Sequence, residues 1–312
     1  MLPRFKADYR ALVWALLLFP LVPLASYLEP SLLPWLLPLG LYLAYCSGAL
    51  AHNQVHAPMF ENQRVNDLYS AWLSLFYGCP IGCWMPTHVV NHHRYANTAL
   101  DTTRTDRLSS EHNLWQALRY TAACGGWQLP VVIEYARRMR RGQHRRWFEL
   151  RLQLSVLLLG QAGFLVLALW LHGPGMGALL YLGAVLLPAL LAPSFMFFTS
   201  YIQHVGCDAA SPDNHSRNFV SPIANWLVFQ AGYHTVHHEH PNAHWTQYPA
   251  LHAEREARIH PSLKVLSLAW FCVENYLLKP LDARFGTKPL ASSGNDQLTA
   301  SDLTAAKSWP AV

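Results

Sequence analysis

Four long stretches of this chain carry no Asp, Glu, Lys or Arg, and nothing else in it constrains the fold as tightly. They are residues 11–28, 32–51, 152–171 and 178–202, each 18–25 residues long. At a rise of about 1.5 Å per residue, a helix of that length covers roughly the 30 Å hydrocarbon core of a bilayer. Pro20, Pro23, Pro34, Pro38, Pro188 and Pro193 fall inside the stretches. A soluble helix would break there, whereas in a bundle neighbouring side chains satisfy the freed carbonyls, so kinks are predicted. A cleaved signal peptide does not explain the first stretch, because only Glu29, Pro30 and Ser31 separate it from the second. Composition agrees with a membrane protein. Of 312 residues 52% are apolar and only 13% charged, against about 25% charged in a soluble domain. So apolar a chain collapses, which excludes global disorder, and six scattered Cys do not make a disulfide framework.

Basic residues give the orientation. Residues 29–31 and 172–177 contain no Lys or Arg, while Arg4, Lys6 and Arg10 precede the first stretch. Arg137, Arg138, Arg140, Arg141, Arg145, Arg146 and Arg151 precede the third. The positive-inside rule then puts both termini and both long intervening segments in the cytoplasm. The arginine run reads as a juxtamembrane anchor on anionic lipid rather than a nucleic-acid patch. The predicted fold is an all-α integral membrane protein: two transmembrane helical hairpins, four spans in all, with a cytoplasmic helical cap. A single domain covers 1–286. Within it, 68–80 reads as an interfacial or re-entrant helix and 262–279 as an amphipathic helix, while the small polar residues of 287–312 read as a disordered tail.

Seventeen histidines are the anomaly. His52 and His56 close the second span. His88, His92 and His93 (HVVNHH) follow in the first long segment, His204 ends the fourth span, and His234, His237 and His238 (HTVHH) lie in the second long segment. Residues four apart share a helix face, so His52 with His56, and His88 with His92, are predicted to aim at common centres. Adjacent residues are splayed by about 100°, so His92 and His93, and likewise His237 and His238, suit two different metals. Nine imidazoles exceed the three or four protein ligands of one zinc. No His-Glu-x-x-His metalloprotease motif occurs, and no Glu-x-x-His pair of the soluble di-iron bundles. What remains is a nitrogen-rich site for two first-row metals, and iron fits its ligands and a redox role best. His112, His144, His172, His240, His244, His252 and His260 read as surface or outer residues. His215, in DNHSRN, is open between a site role and a surface one. Cys79 and Cys83 read as packing residues. Asp101, Asp106 and Glu239 are candidate carboxylates to orient ligand rings.

The order H-x3-H, H-x3-HH, H-x2-HH, divided between two apolar hairpins, resembles the integral-membrane fatty acid desaturase superfamily over about residues 11–262. The stretch Gly232–His252, GYHTVHHEHPNAHWTQYPALH, is similar to the third-box region of that family. The resemblance implies a di-iron centre at the cytosolic face held by His52, His56, His88, His92, His93, His234, His237 and His238, with His204 in the place of an added ligand. Ser200 stands where acyl-CoA desaturases carry an Asn. The first box has three intervening residues rather than their four, and the third begins with His234 rather than the Gln of front-end desaturases.

Breaking an unactivated aliphatic C–H bond is beyond any side-chain acid or base, so iron and O₂ must carry that step. Desaturation of a fatty acyl chain is the leading reading. A hydroxylase or ketolase of a carotenoid or other lipid keeps the same site, as does a fatty acid decarboxylase giving a terminal alkene. A metal transporter is the non-enzymatic alternative, but the four stretches hold no central ionisable residue. No G-x-G-x-x-G, C-x-x-C-H or iron–sulfur cysteine run occurs. Electrons are therefore expected from outside, from a ferredoxin or cytochrome b5 with its reductase, docked on a basic surface.

Overall fold

A computed structural model describes residues 2–290. The predicted tail of 287–312 lies outside the described residues from 291 onward. The fold is mostly helical, at 71%. It divides into two compact units, Met1–Trp84 with Glu134–Met196, and Met85–Ile133 with the chain from Phe197 on.

The first unit carries three helices long and apolar enough to cross a membrane: Asp8–Leu28, Pro30–His56 and, extending past the unit, His144–His204. The first two contain the predicted stretches 11–28 and 32–51, starting two or three residues earlier and, in the second, running five residues further. The third has 61 residues and holds both 152–171 and 178–202. At about 1.5 Å per residue it would be three times too long for one crossing. It is not straight, however. Gly173 has φ 72° and ψ 178°, a conformation closed to residues with a Cβ. The two limbs fold back on each other there. Tyr181 donates its hydroxyl hydrogen to Gln161 Oε1 at 2.9 Å, and a Cβ on Gly177 would lie 2.4 Å from the Ala168 carbonyl oxygen.

The prolines are accommodated by local repair. From Trp14 to Leu18 the first helix is π-helical, with the Phe19 N–H donating to Trp14 O. In that register the donor due to Ala15 O is residue 20, a proline without an N–H. The Trp72 indole donates to Ala15 O instead, at 2.8 Å. At the end of the same helix, His172 Nε2 donates to the carbonyl of Tyr27 at 2.6 Å.

The predicted element at 68–80 is the helix Gln63–Tyr77. It begins earlier because Asn62 caps it, accepting from the N–H groups of Arg64 and Val65. It stops at Gly78, φ 73°, where a Cβ would fall 2.1 Å from Ala189 O, so only glycine fits. This helix packs on the start of the 61-residue run through Asp67, 2.9 Å from Arg145, and through Leu75 against Gly160.

The second unit is built around Ala117, Tyr120, Tyr201, Ile202, Phe219, Phe271 and Tyr276. Two short strands, Asn218–Phe219 and Lys264–Val265, pair in parallel. The amphipathic helix predicted for 262–279 is thus corrected: the chain makes a 3₁₀ turn at Pro261–Leu263, then the strand, and helix only over Leu268–Leu278. The change follows from Ser267, which caps the helix by accepting from Trp270 N–H.

Candidate metal centre

Three segments of the second unit bring histidines together. The first is Met85–His92, a π-helix that runs into the short α-helix His93–Tyr95. In a π-helix the backbone closes on residue i+5, so that residue, not i+4, comes under residue i. His88 Nε2 accordingly lies 3.1 Å from His93 Nε2. The pairing of His88 with His92 expected from α-helical spacing is therefore corrected: His92 turns to a different set.

The second segment is the end of the helix Leu187–His204. Arg217, 1% exposed, reaches under this end and donates to the carbonyls of Ile202 and Val205. Its guanidinium is stacked 4.7 Å from the Phe271 ring centre. These contacts satisfy last-turn carbonyls that a helix cannot satisfy itself. His204 is thereby fixed in place, 1% exposed.

The third segment is the helix His234–Glu239. Asn218 anchors its first turn, accepting from Thr235 N–H at 3.0 Å and donating to Thr235 Oγ1 at 2.8 Å. The approach is set by Asn225, which donates to Phe219 O and accepts from Gly232 N–H. A Cβ on Gly232 would lie 2.2 Å from Phe219 O.

One group comprises His92, His204, His234 and His238, whose candidate ligand nitrogens all lie within 4.8 Å of one another. Their Nε2 atoms form a chain of contacts: His92 to His204 at 3.1 Å, His204 to His234 at 2.9 Å, and His234 to His238 at 3.1 Å. The outer partners fix two of the tautomers. Asp101 Oδ2 lies 2.7 Å from His92 Nδ1, and the His215 carbonyl 3.0 Å from His204 Nδ1. Both partners only accept, so both Nδ1 atoms carry a proton, and in the neutral rings both Nε2 atoms carry lone pairs. Two lone pairs facing each other at 3.1 Å repel unless a cation lies between them. Nitrogens about 2.1 Å from one metal, at 90–109° to each other, stand about 3.0–3.4 Å apart. The separations fit a metal.

The other set in this unit is His88, His93 and His237. Its ring centres are 4.6 Å apart for both His88–His93 and His93–His237. His237 Nδ1 lies 3.0 Å from the Tyr248 hydroxyl. Adjacent histidines therefore separate as the sequence predicts: His92 and His238 join one set, His93 and His237 the other. In the first unit, His52 and His56 share a helix face with ring centres 4.8 Å apart.

Electrostatics favour a neutral ring, the form that binds metal, at His204 and His238. Burial, and then His93, His234, His92 and His204, push His238 well below its ordinary value. Burial also lowers His215. At Asp101 burial pushes the carboxyl up, but His92 and the hydrogen bonds from His92 and Thr103 outweigh it, so it stays ionised.

Of the three carboxylates predicted to orient rings, only Asp101 touches a ligand-type histidine. Its other oxygen accepts from Thr103 N–H and Oγ1, at 2.8 and 2.7 Å. Asp106 is corrected to a surface partner of Arg104, at 3.3 Å. Glu239 is corrected to an ion pair with Arg255, which also holds Asp213. Its position beside His238 turns it out of the site, because neighbours on a helix diverge. Thr103, Arg217, Asn218 and Tyr248 escaped the sequence reading, since each is an ordinary polar residue until the fold brings it to a box.

The fatty acid desaturase family profile matches residues 30–267. The chain belongs to the fatty acid desaturase family. No curated protein and no solved structure matches it. As a member of this family with apolar helices of membrane length and clustered histidines, it fits a membrane oxidoreductase of the desaturase and hydroxylase type.

Proposed function

We propose that this protein is a membrane-bound di-iron oxidoreductase that uses O₂ to desaturate a fatty acyl chain. The observation that carries the reading is the facing pair of Nε2 atoms of His92 and His204, 3.1 Å apart inside a matched desaturase domain. The ligand set is His92, His204, His234 and His238 for one ion, and His88, His93 and His237 for the other. By the family resemblance His52 and His56 complete the nine. When bound, the two iron ions supply O₂ reduction and removal of hydrogen from an unactivated methylene. The chain's own groups do the rest. Asp101 and the His215 carbonyl hold His92 and His204 in the ligating tautomer, and Thr103 holds Asp101.

In the membrane, Asp8–Leu28 and Pro30–His56 form one hairpin. The limbs on either side of Gly173 form a second, giving four spans with the histidine-bearing cap and both termini in the cytoplasm. The turn at Gly173 and the basic residues before each hairpin support this. Electrons come from a ferredoxin or cytochrome b5 with its reductase, for which the net charge of +5 suits an acidic carrier.

The test is expression in a host of known lipid profile, with mass spectrometry of fatty acids and hydrocarbons for wild type and His92→Ala. A new double bond that disappears in the variant supports the proposal. A new alcohol, ketone or terminal alkene instead moves the chemistry to hydroxylation, ketone formation or decarboxylation at the same centre. Altered metal uptake with an unchanged lipid profile overturns an enzymatic role.

A further inference from the structure

His215 is 7% exposed and belongs to neither histidine group. Its Nδ1 faces two backbone carbonyls, Ser211 O at 3.3 Å and Pro212 O at 3.1 Å. Carbonyls only accept, so Nδ1 carries the proton and, in the neutral ring, Nε2 at the opposite edge carries a lone pair. That Nε2 is buried with no hydrogen-bond partner among the described residues. A buried acceptor left unmet loses its hydration without compensation, so the atom calls for a donor. No donor from the described residues is there. The ring centre is 5.3 Å from that of His238, and the residue's own carbonyl holds His204. Two ligands of one metal stand at most about 4.2 Å apart, twice a metal–nitrogen bond of about 2.1 Å. His215 lies outside the group whose nitrogens all fall within 4.8 Å of one another, which places direct ligation out of reach.

We propose that His215 Nε2 holds a water molecule against the group formed by His92, His204, His234 and His238, as an outer acceptor rather than a ligand. The inference rests on the di-metal reading of that group. The polarity is right for it: a water that donates one hydrogen to His215 presents its oxygen to the group, the orientation a cation favours. His215 is then a positioning residue, acting through the water and through its own carbonyl.

The experiment uses full-length protein purified in detergent and loaded with Mn(II), with metal content and the number of exchangeable waters on the metal measured by ¹⁷O-labelled electron–nuclear double resonance. His215→Leu removes the acceptor, and His215→Gln replaces it with an amide oxygen at similar reach. His215→Leu is expected to keep the metal content of wild type and lose one bound water, and His215→Gln to regain it. A loss of one metal in His215→Leu, with His215→Gln correctly assembled by size-exclusion profile, overturns the proposal in favour of direct ligation. Equal water counts in wild type and His215→Leu overturn it outright. Wild type that binds no Mn(II) overturns the di-metal reading, and the inference with it.

Discussion

In the apolar helices of the first unit, stranded backbone carbonyls are met one at a time. Trp72 serves the single carbonyl stranded by Pro20, His172 serves the last turn of the same helix, and Gln161 serves Leu75. In the second unit polar groups are interlocked. Thr103 holds Asp101, Asp101 holds His92, and His92 meets His204, which meets His234 and the His215 carbonyl. The difference follows from what each unit has to place. A spanning helix tolerates a shift of a few tenths of an ångström, because lipid and apolar side chains repack around it. Ligand nitrogens do not, because a metal site needs several rings held together in position and tautomer. Substitutions around the second unit's histidines should therefore reach function through metal binding, and those in the apolar helices of the first unit, away from His52 and His56, should act on stability.

The sharpest test of that contrast is His234→Ala. His234 Nε2 contacts both His204 and His238, so its loss opens the centre of the group. Loss of an outer partner typically costs 10–100-fold in metal affinity or activity, so loss of this ring is expected to exceed ~100-fold in product formed, with a lower metal content. Wild-type metal content in this variant would break the comparison at its base.

Asp101→Ala comes next. It leaves every ligand in place but frees His92 Nδ1, and metal retention against a chelator should fall by about 10–100-fold. Retention equal to wild type would mean that the 2.7 Å contact does not hold the ring.

Arg217→Met probes the second unit's scaffold rather than its ligands. It strands the carbonyls of Ile202 and Val205, at about 1–3 kcal/mol each, and is expected to lower the thermal midpoint in detergent and the metal content together. A lower midpoint with full metal content would show that the end of the helix at His204 is held by other contacts.

The smallest effect is expected from Trp72→Phe in the first unit. It removes one hydrogen bond to Ala15 O and should cost about 1 kcal/mol in thermal stability, with no change in bound metal. A drop in metal content would show that the first unit, too, is interlocked.

Much of this was legible in the sequence. The two early apolar helices, the turn within 172–177 between the two later apolar stretches and the histidines that cluster could be read from it. So could the division of adjacent histidines between two sets, because about 100° per residue forbids neighbours from sharing a centre. The pairing of His88 was not legible. Four-residue spacing predicts His92 as its partner, whereas the π-helix Met85–His92 substitutes His93, and nothing in HVVNHH announces that change of register. Of three acidic candidates only Asp101 lies in reach, and sequence distance does not separate it from Asp106 or Glu239.

The sequence by itself determined which stretches are apolar enough to cross a membrane and which side chains were available to bind metal, since hydropathy and ligand chemistry belong to residues. Tertiary structure decided which nitrogens meet, which tautomer each presents and which carbonyl or carboxylate stands behind it. Those depend on atoms more than a hundred residues apart, as His92 and His204 are, coming within about 3 Å, a relation that local periodicity does not encode.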